Sequence, residues 1–430
     1  MKILQMPETR ICVSRQLHRS ADDAWAIARD FSSLWHPAIA TSRLEHGMNG
    51  GLVRHFTVKG EVTVYSEQQT FFSNSLRRIS YRHLQGIADV ESYSATLKID
   101  SADGQAVAEW SATITANEPR LTEIAEGTRQ VFDLGLAALA TVPPKVQIPT
   151  PANLEPVQFR TLTIIGTPGL SILKTDRSGD TLCLFLHGIG GRKENWISQL
   201  QAVANHFPAA ALDLRGYGAS SLGENQSSVE DHCADILRVM TAFAAKRLVL
   251  VGLSFGSWIA TSFAMRHPEL LAALVLSGGC TGMSEASMEE RQRFLALREA
   301  PLKAGKSPRD FAEQIVDVIA SPGASDLVRQ ELHSSMAAIA SETYLDALRC
   351  FIIPPEKFDF SKLAMPVLFV TGEHDRLASP AEILGVAERV HAEVALPNVR
   401  FETLPSAGHV CNIEAPAAYN ALLQNFLASV

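Results

Sequence analysis

From Thr181 onward, short apolar runs alternate with stretches in which apolar residues recur every three or four positions. The runs are TLCLFL (181–186), AAALDL (209–214), RLVLVGL (247–253), LAALVLS (271–277), MPVLFVTG (365–372) and VRFETL (399–404). Strands apolar on both faces and separated by helices predict a parallel sheet covered on both sides. One stretch breaks the rhythm. Residues 282–355 hold only helical patterns, such as SMEERQRFLALREA, SPRDFAEQIVDVIA and SETYLDALRCF. A helical insertion between two strands of such a sheet predicts a cap over the strands' C-terminal edge, where ligands bind.

The first 141 residues read differently. ICVSRQL near residue 11 predicts a strand, and Ser20 before ADDAWAIARDF predicts a capped helix with Asp22 and Asp23 in its first turn. Strand-like segments follow around 43–46, 52–58, 61–71, 77–84, 91–100 and 105–115. In the last of these, Ala106, Ala108, Trp110, Ala112 and Ile114 share one face. Residues 121–141 predict a long amphipathic helix bearing Val131, Leu134, Leu136, Leu139 and Ala140. Many strands closed by a long helix predict an α+β domain. Between the two patterns, residues 142–156 carry Pro143, Pro144, Pro149, Pro151 and Pro156. That proline density predicts an extended linker. The expected organisation is an α+β domain over 1–141, a linker over 142–156, and an α/β domain over 157–430 with a cap near 282–355.

Composition narrows the function. The net charge of −8 leaves no basic footprint, which argues against a nucleic-acid partner. No apolar stretch approaches the ~18 residues a membrane span needs. MKILQMPETR is too short for a signal-peptide core, so a cytoplasmic location is expected. The six cysteines are scattered without a C-x-x-C pair and are expected to be buried, reduced thiols; no zinc spacing occurs.

The chemistry concentrates in the second domain. GLSFG (252–256) fits G-x-S-x-G between an apolar strand and an apolar helix, the context of a nucleophile elbow. Gly252 and Gly256 are expected to be small because side chains there would crowd the strand and helix. Ser254 is then presented at a helix N-terminus, where developing negative charge is favoured. A serine hydroxyl needs a base, and the base an orienting acid. The order expected for this elbow is Ser, acid, His. MPVLFVTGEHD ends in Asp375 and VRFETLPSAGHV leads to His409, each just past a strand. Glu373 is the alternative acid. LCLFLHGIGG leads into a glycine-rich loop, His187-Gly188-Ile189-Gly190-Gly191. Its backbone can turn N–H groups inward, so the oxyanion donors are expected to be the N–H groups of Ile189 and Phe255. His187, Gly188 and Gly190 would support that loop, with His187 orienting rather than exchanging protons. No metal or cofactor is required.

These residues, with DLRGYG (213–218), GEHD (372–375) and SAGH followed by Glu414 and Pro416, resemble the α/β-hydrolase fold superfamily over about 157–430. Within it the chain looks most like the enol-lactonase, esterase and cofactor-free haloperoxidase-like branch. A serine at the elbow speaks against the haloalkane dehalogenase and epoxide hydrolase branches, which use a carboxylate nucleophile. The C–C hydrolases of ring-fission products share Ser-Asp-His but typically have Asn before the serine and a G-P-G-A-type loop. Leu253 and Gly190-Gly191-Arg192-Lys193 stand at those places here.

Residues 10–141 resemble the START-like superfamily of polyketide cyclases and dehydrases related to Bet v 1. The features behind this are SADDAW, WHP (35–37), GGLVRHF, AEWSATI and the long final helix. The resemblance implies a sheet wrapped around that helix and an apolar cavity. His36, Arg54, His55, Tyr65, Tyr81, His83, Tyr93 and Trp110 are candidates to face it. Core packing for the aromatics and surface positions for His and Arg are the plainer alternative, and no acid–base pair is diagnostic.

The expected function is a serine hydrolase of an ester or lactone of a small apolar compound, aromatic or polyketide-like, with a hydrophobic ligand bound by the N-terminal domain. The alternatives are C–C hydrolysis of a diketo compound, an added cyclase or dehydratase activity, and an N-terminal domain that only docks or dimerises.

Overall fold

The computed structural model describes residues 6–47, 50–143, 157–353, 355–428 and 430. Most of the proline-rich linker, 144–156, lies outside these. The chain divides into two compact units, one of Met1–Pro151 with Leu396–Glu402, the other chiefly Ala152–Ala395 and Thr403–Ala428. No described helix is long and apolar enough to cross a membrane.

The first unit contains β1 (Glu8–Leu17), α1 (Ala21–Ala28), β2 (Ile39–His46), β3 (Leu52–Val58), β4 (Val64–Ser73), β5 (Arg78–Gln85), β6 (Ser92–Ala102), β7 (Gln105–Thr115) and α2 (Arg120–Leu139). Its strands pair antiparallel in the order β1–β7–β6–β5–β4–β3–β2. Ser20 caps α1 by accepting the Asp23 N–H at 3.1 Å. The alternation predicted for β7 is realised: Ala106, Ala108, Trp110, Ala112 and Ile114 are all buried.

The amphipathic helix α2 buries one stripe. Leu136 and Leu139 are buried, whereas Val131 and Leu134 are 45% and 48% exposed. Leu121, Ile124, Thr128, Phe132 and Gly135 complete the buried stripe. Phe132 stacks on Trp110 with ring centroids 4.5 Å apart. Gly135 lets the helix come this close, since a Cβ there would meet the His36 and Trp110 rings at 2.6 Å.

The second unit begins with β8 (Phe159–Ile164), β9 (Leu170–Thr175), β10 (Thr181–Leu186), α3 (Ile197–Val203), β11 (Ala209–Leu212), α4 (Val229–Phe243), β12 (Arg247–Leu253), α5 (Phe255–Arg266) and β13 (Leu271–Ser277). Four cap helices follow: α6 (Met288–Lys303), α7 (Pro308–Ile319), α8 (Asp326–Ala337) and α9 (Ser341–Ile352). The unit ends with β14 (Val367–Gly372), α10 (Pro380–Glu393), α11 (Cys411–Glu414) and α12 (Pro416–Leu427), and the division between the units falls within the strand β15 (Val399–Leu404), after Glu402.

Strands β14, β13, β12, β10 and β11 pair in that order and run parallel. β9 and β8 continue beyond β11 with antiparallel pairing, so the sheet is mixed and mostly parallel. Burial explains the unbroken apolar runs: every residue of β11, β13 and β14 is buried. The cap starts are written in the sequence. Ser287 and Ser307 form reciprocal capping boxes with Glu290 and Asp310, and Ser325 caps α8.

Candidate active site

β12 runs into α5 through Ser254, whose backbone lies at φ 54° and ψ −116°. A non-glycine residue rarely occupies this region, at a cost on the order of 1–3 kcal/mol. Its N–H donates to the Ser277 carbonyl of β13 at 2.8 Å, and its carbonyl accepts from Trp258 at 3.0 Å, which fixes the turn. The two glycines are required by close approach. A Cβ on Gly252 would sit 2.4 Å from the Gly256 carbonyl oxygen, and one on Gly256 would sit 2.3 Å from that of Leu186.

His409 follows β15 and Asp375 follows β14. The imidazole Nδ1–H donates to Asp375, with 2.9 Å to Oδ2 and 3.1 Å to Oδ1. Oδ1 also accepts the N–H groups of Leu377 and Ala378, both at 2.9 Å. Burial pushes the Asp375 carboxyl up, but the His409 hydrogen bond and charge and these two N–H groups outweigh it, so its pKa lies below the usual value. Glu373 is turned elsewhere: it is exposed and accepts the Ser406 N–H at 2.9 Å. Gly278, at φ +60°, seats the imidazole, because a Cβ there would lie 3.1 Å from its Cε1 and Nδ1. With the Nδ1–H directed to Asp375, Nε2 is the nitrogen left to act as base.

Ser254, His409, His187, Gly188, Ile189 and Gly190 line one cavity of about 480 Å³. Gly188 abuts the elbow, since a Cβ on it would be 2.9 Å from that of Ser254. His187 Nε2 accepts the Leu214 N–H at 3.1 Å, so Nδ1–H donates to the Gly188 carbonyl at 2.8 Å. Burial lowers its pKa, which suits a neutral ring that holds the loop. Behind the loop, buried Asp213 accepts from the Lys193 N–H at 2.9 Å, Lys193 Nζ at 2.5 Å and the Ala219 N–H at 3.1 Å. Phe255 opens α5, so its N–H has no acceptor within the helix. Its side chain is buried against His232, Trp258 and Phe351 and does not line the cavity.

Sequence reasoning missed the seat at Gly278. Glu414, five residues after His409, accepts the Gly408 N–H at 3.0 Å and the Ser321 N–H at 2.8 Å, a role the SAGH motif alone does not reveal. Much of the remaining cavity wall is apolar and comes from the cap, including Phe294, Ile315, Met336, Leu348 and Phe351.

The first unit encloses a separate cavity of about 510 Å³. His36, Arg54, Tyr65, Tyr81, His83, Tyr93 and Trp110 line it; His55 does not, and instead contacts Glu45 and Ser66, each at 2.8 Å. Arg54 pairs with Glu67 at 2.5 Å, and its guanidinium lies 4.6 and 4.7 Å from the Phe31 and Phe56 ring centres. Trp110 donates to the Tyr81 hydroxyl at 3.0 Å, and burial pushes that phenol well above its ordinary range.

Residues 182–416 match the family model for the alpha/beta hydrolase fold, and the chain belongs to that family. It is a hydrolase by class. Residues 8–142 match the model described as polyketide cyclase/dehydrase and lipid transport. A provisionally named carbamate hydrolase, RutD, of Shigella flexneri is 25% identical over 282 residues, covering 61% of this chain and 96% of its own length. Among solved structures, an esterase from Thermogutta terrifontis superposes with a TM-score of 0.54 at 22% identity, covering 63% of this chain and 98% of that one. The enol-lactonase of Burkholderia xenovorans LB400 gives 0.53 at 20% identity, covering 61% and 97%. At these identities the structures share the fold.

Proposed function

We propose that the second unit hydrolyses an ester or lactone of a small, largely apolar compound through an acyl-enzyme on Ser254. The observation that carries this reading is the cavity shared by Ser254 and His409, with Asp375 bound to the far nitrogen of His409. His409 Nε2 takes the Ser254 proton as Oγ attacks the carbonyl carbon. Asp375 holds the tautomer and stabilises the imidazolium. The N–H groups of Ile189 and Phe255 receive the oxyanion. His409 then protonates the leaving oxygen, and water, activated by the same nitrogen, releases the acid. The esterase and enol-lactonase among the structural neighbours fit this reaction class. The first unit binds a hydrophobic ligand in its own cavity, whose wall is mainly aromatic and aliphatic.

A fluorophosphonate probe tests the assignment. It should label the wild-type protein at Ser254, and Ser254→Ala should be unlabelled. Labelling mapped to Ser257 would overturn the nucleophile. For the first unit, an apolar fluorophore should be displaced by long-chain or aromatic compounds from wild type but not from a Gly127→Trp variant, which fills the cavity from α2.

A further inference from the structure

The cap places one cation in the proposed substrate cavity. Arg298, on α6, is the only lysine or arginine among the described residues that line it. It is half-buried, and its guanidinium carbon lies 4.8 Å from the centre of the Phe294 ring, one turn back on the same helix. Neighbouring cap cations are committed. Arg349 and Lys303 bind Glu299 at 3.0 and 2.7 Å, Arg291 donates to the Ile352 carbonyl at 3.0 Å, and Arg329 pairs with Asp317. Arg298 has the aromatic face and, among the described residues, no carboxylate partner.

The acidic groups on the wall have other partners. Glu285 is held by Arg389 at 2.8 and 3.0 Å. Glu382 opens α10 directly after the Asp375 loop and feels the charges of Asp375 and Glu285. Arg298 instead acts electrostatically on Tyr344 of α9. The cavity wall therefore carries carboxylates grouped with Asp375 and α10 and a cation grouped with Phe294 and Tyr344, among largely apolar side chains. An unpaired guanidinium in a largely apolar wall has lost part of its hydration, and a carboxylate restores that loss with charge-assisted hydrogen bonds in a fixed fork. The ring beneath it limits the freedom lost on binding.

We infer that Arg298 selects substrates that carry a carboxylate at the end remote from the scissile carbonyl, so that the natural substrate is an anionic ester or lactone. The inference rests on the proposed hydrolase reading of this cavity. It also orients the substrate: the anion lies toward α6 and α9, away from the carboxylates beside α10.

The test compares mono-4-nitrophenyl adipate with 4-nitrophenyl hexanoate, which have the same chain length and leaving group. Wild type should favour the adipate by roughly 10- to 100-fold in kcat/KM, the range of a charged hydrogen-bonded contact. Arg298→Met keeps an unbranched apolar side chain and should lose most of that preference. Its turnover of the hexanoate should stay within about 3-fold of wild type, which shows that the variant is folded. Arg298→Lys should fall between. Calorimetric binding of adipate and hexanoate as free acids gives a readout independent of turnover. Wild type should bind adipate at least about 10-fold more tightly than hexanoate, and Arg298→Met should not. A wild type that does not discriminate in binding, or an Arg298→Met that retains discrimination, overturns the role of Arg298. Discrimination in binding with neither ester turned over sustains that role and sinks the esterase reading instead.

Discussion

Glu414 ties Ser321 of the cap to the loop that carries His409, accepting the Ser321 N–H at 2.8 Å and the Gly408 N–H at 3.0 Å. The His409 N–H itself donates to the Ile319 carbonyl at the end of α7, at 2.8 Å. Arg376, next to Asp375, donates to the carbonyls of Asp317 and Ala320 in the same turn. The C-terminal turn of α7 is thus bonded to both loops that bear the proposed base and acid. Glu414→Ala should unlock this join. Since displacement by about 1 Å can cost 100-fold, kcat is expected to fall roughly 10- to 100-fold with KM little changed. Steady-state kinetics beside a thermal melt will check it. A lowered Tm with kcat intact would make Glu414 a matter of stability alone.

Asp375→Asn is expected to reduce kcat by about 10^3- to 10^4-fold, because an amide does not hold the Nδ1–H tautomer or compensate an imidazolium. Glu373→Gln should be near wild type, since Glu373 lies at the surface, where it accepts the Ser406 N–H and sits 3.9 Å from His374. The reverse result in a side-by-side assay would move the acid to Glu373.

The candidate site was legible because each member follows an apolar strand and has informative neighbours. Ser254 lies between two glycines, and Asp375 and His409 end the loops of GEHD and SAGH. The interior strands were legible because burial on both faces makes them continuous apolar runs. β8 and β9 escaped notice for the converse reason. FRTLTI is half exposed at the sheet edge, and LSILKT pairs antiparallel beside it, so neither reads as a fully apolar run. The buried stripe of α2 is harder to read from residue type, because it includes Thr128 and Gly135, and at Gly135 the Trp110 and His36 rings leave no room for a Cβ. Gly278 and Arg298 were invisible for a third reason. A glycine that seats a ring and an arginine that enters a cavity are defined by partners far away in the chain.

Acid should destabilise the fold through buried histidines. Burial pushes His187 down and His232 down to about 3. Below about pH 6.5 the unfolded chain protonates these rings while the folded chain holds them neutral. The unfolded state then binds more protons, so stability falls as pH drops below about 6.5 and is indifferent to these groups above it. For His232 the loss continues until the folded ring also protonates, near pH 3. Urea midpoints between pH 7 and 4 should decline accordingly. His232 packs edge-on against Phe255 with centroids 5.3 Å apart, so His232→Phe preserves an aromatic contact. That variant should lessen the slope by up to about 1.4 kcal/mol per pH unit, one proton's worth. An unchanged slope would mean that His232 does not stay neutral.

The backbone of Ser254 supplies a test of the elbow that is separate from chemistry. At φ 54° and ψ −116° the residue is held where a Cβ is strained. Ser254→Ala removes the proposed nucleophile but keeps the Cβ, so it should lose about 10^4-fold or more in kcat with a melting temperature near wild type. Ser254→Gly should be equally inactive, yet the strain is relieved. Relief on the order of 1–3 kcal/mol is opposed by the extra freedom glycine gives the unfolded chain, about 0.4–1 kcal/mol. The glycine variant should therefore be more stable than the alanine variant by roughly 1 kcal/mol, readable as a higher urea midpoint at equal m-value. If glycine is the less stable of the two, the turn is not strained in solution. The tight elbow would then owe its form only to the close approach of Gly252 and Gly256, and the raised energy of Ser254 would have no part in presenting its hydroxyl.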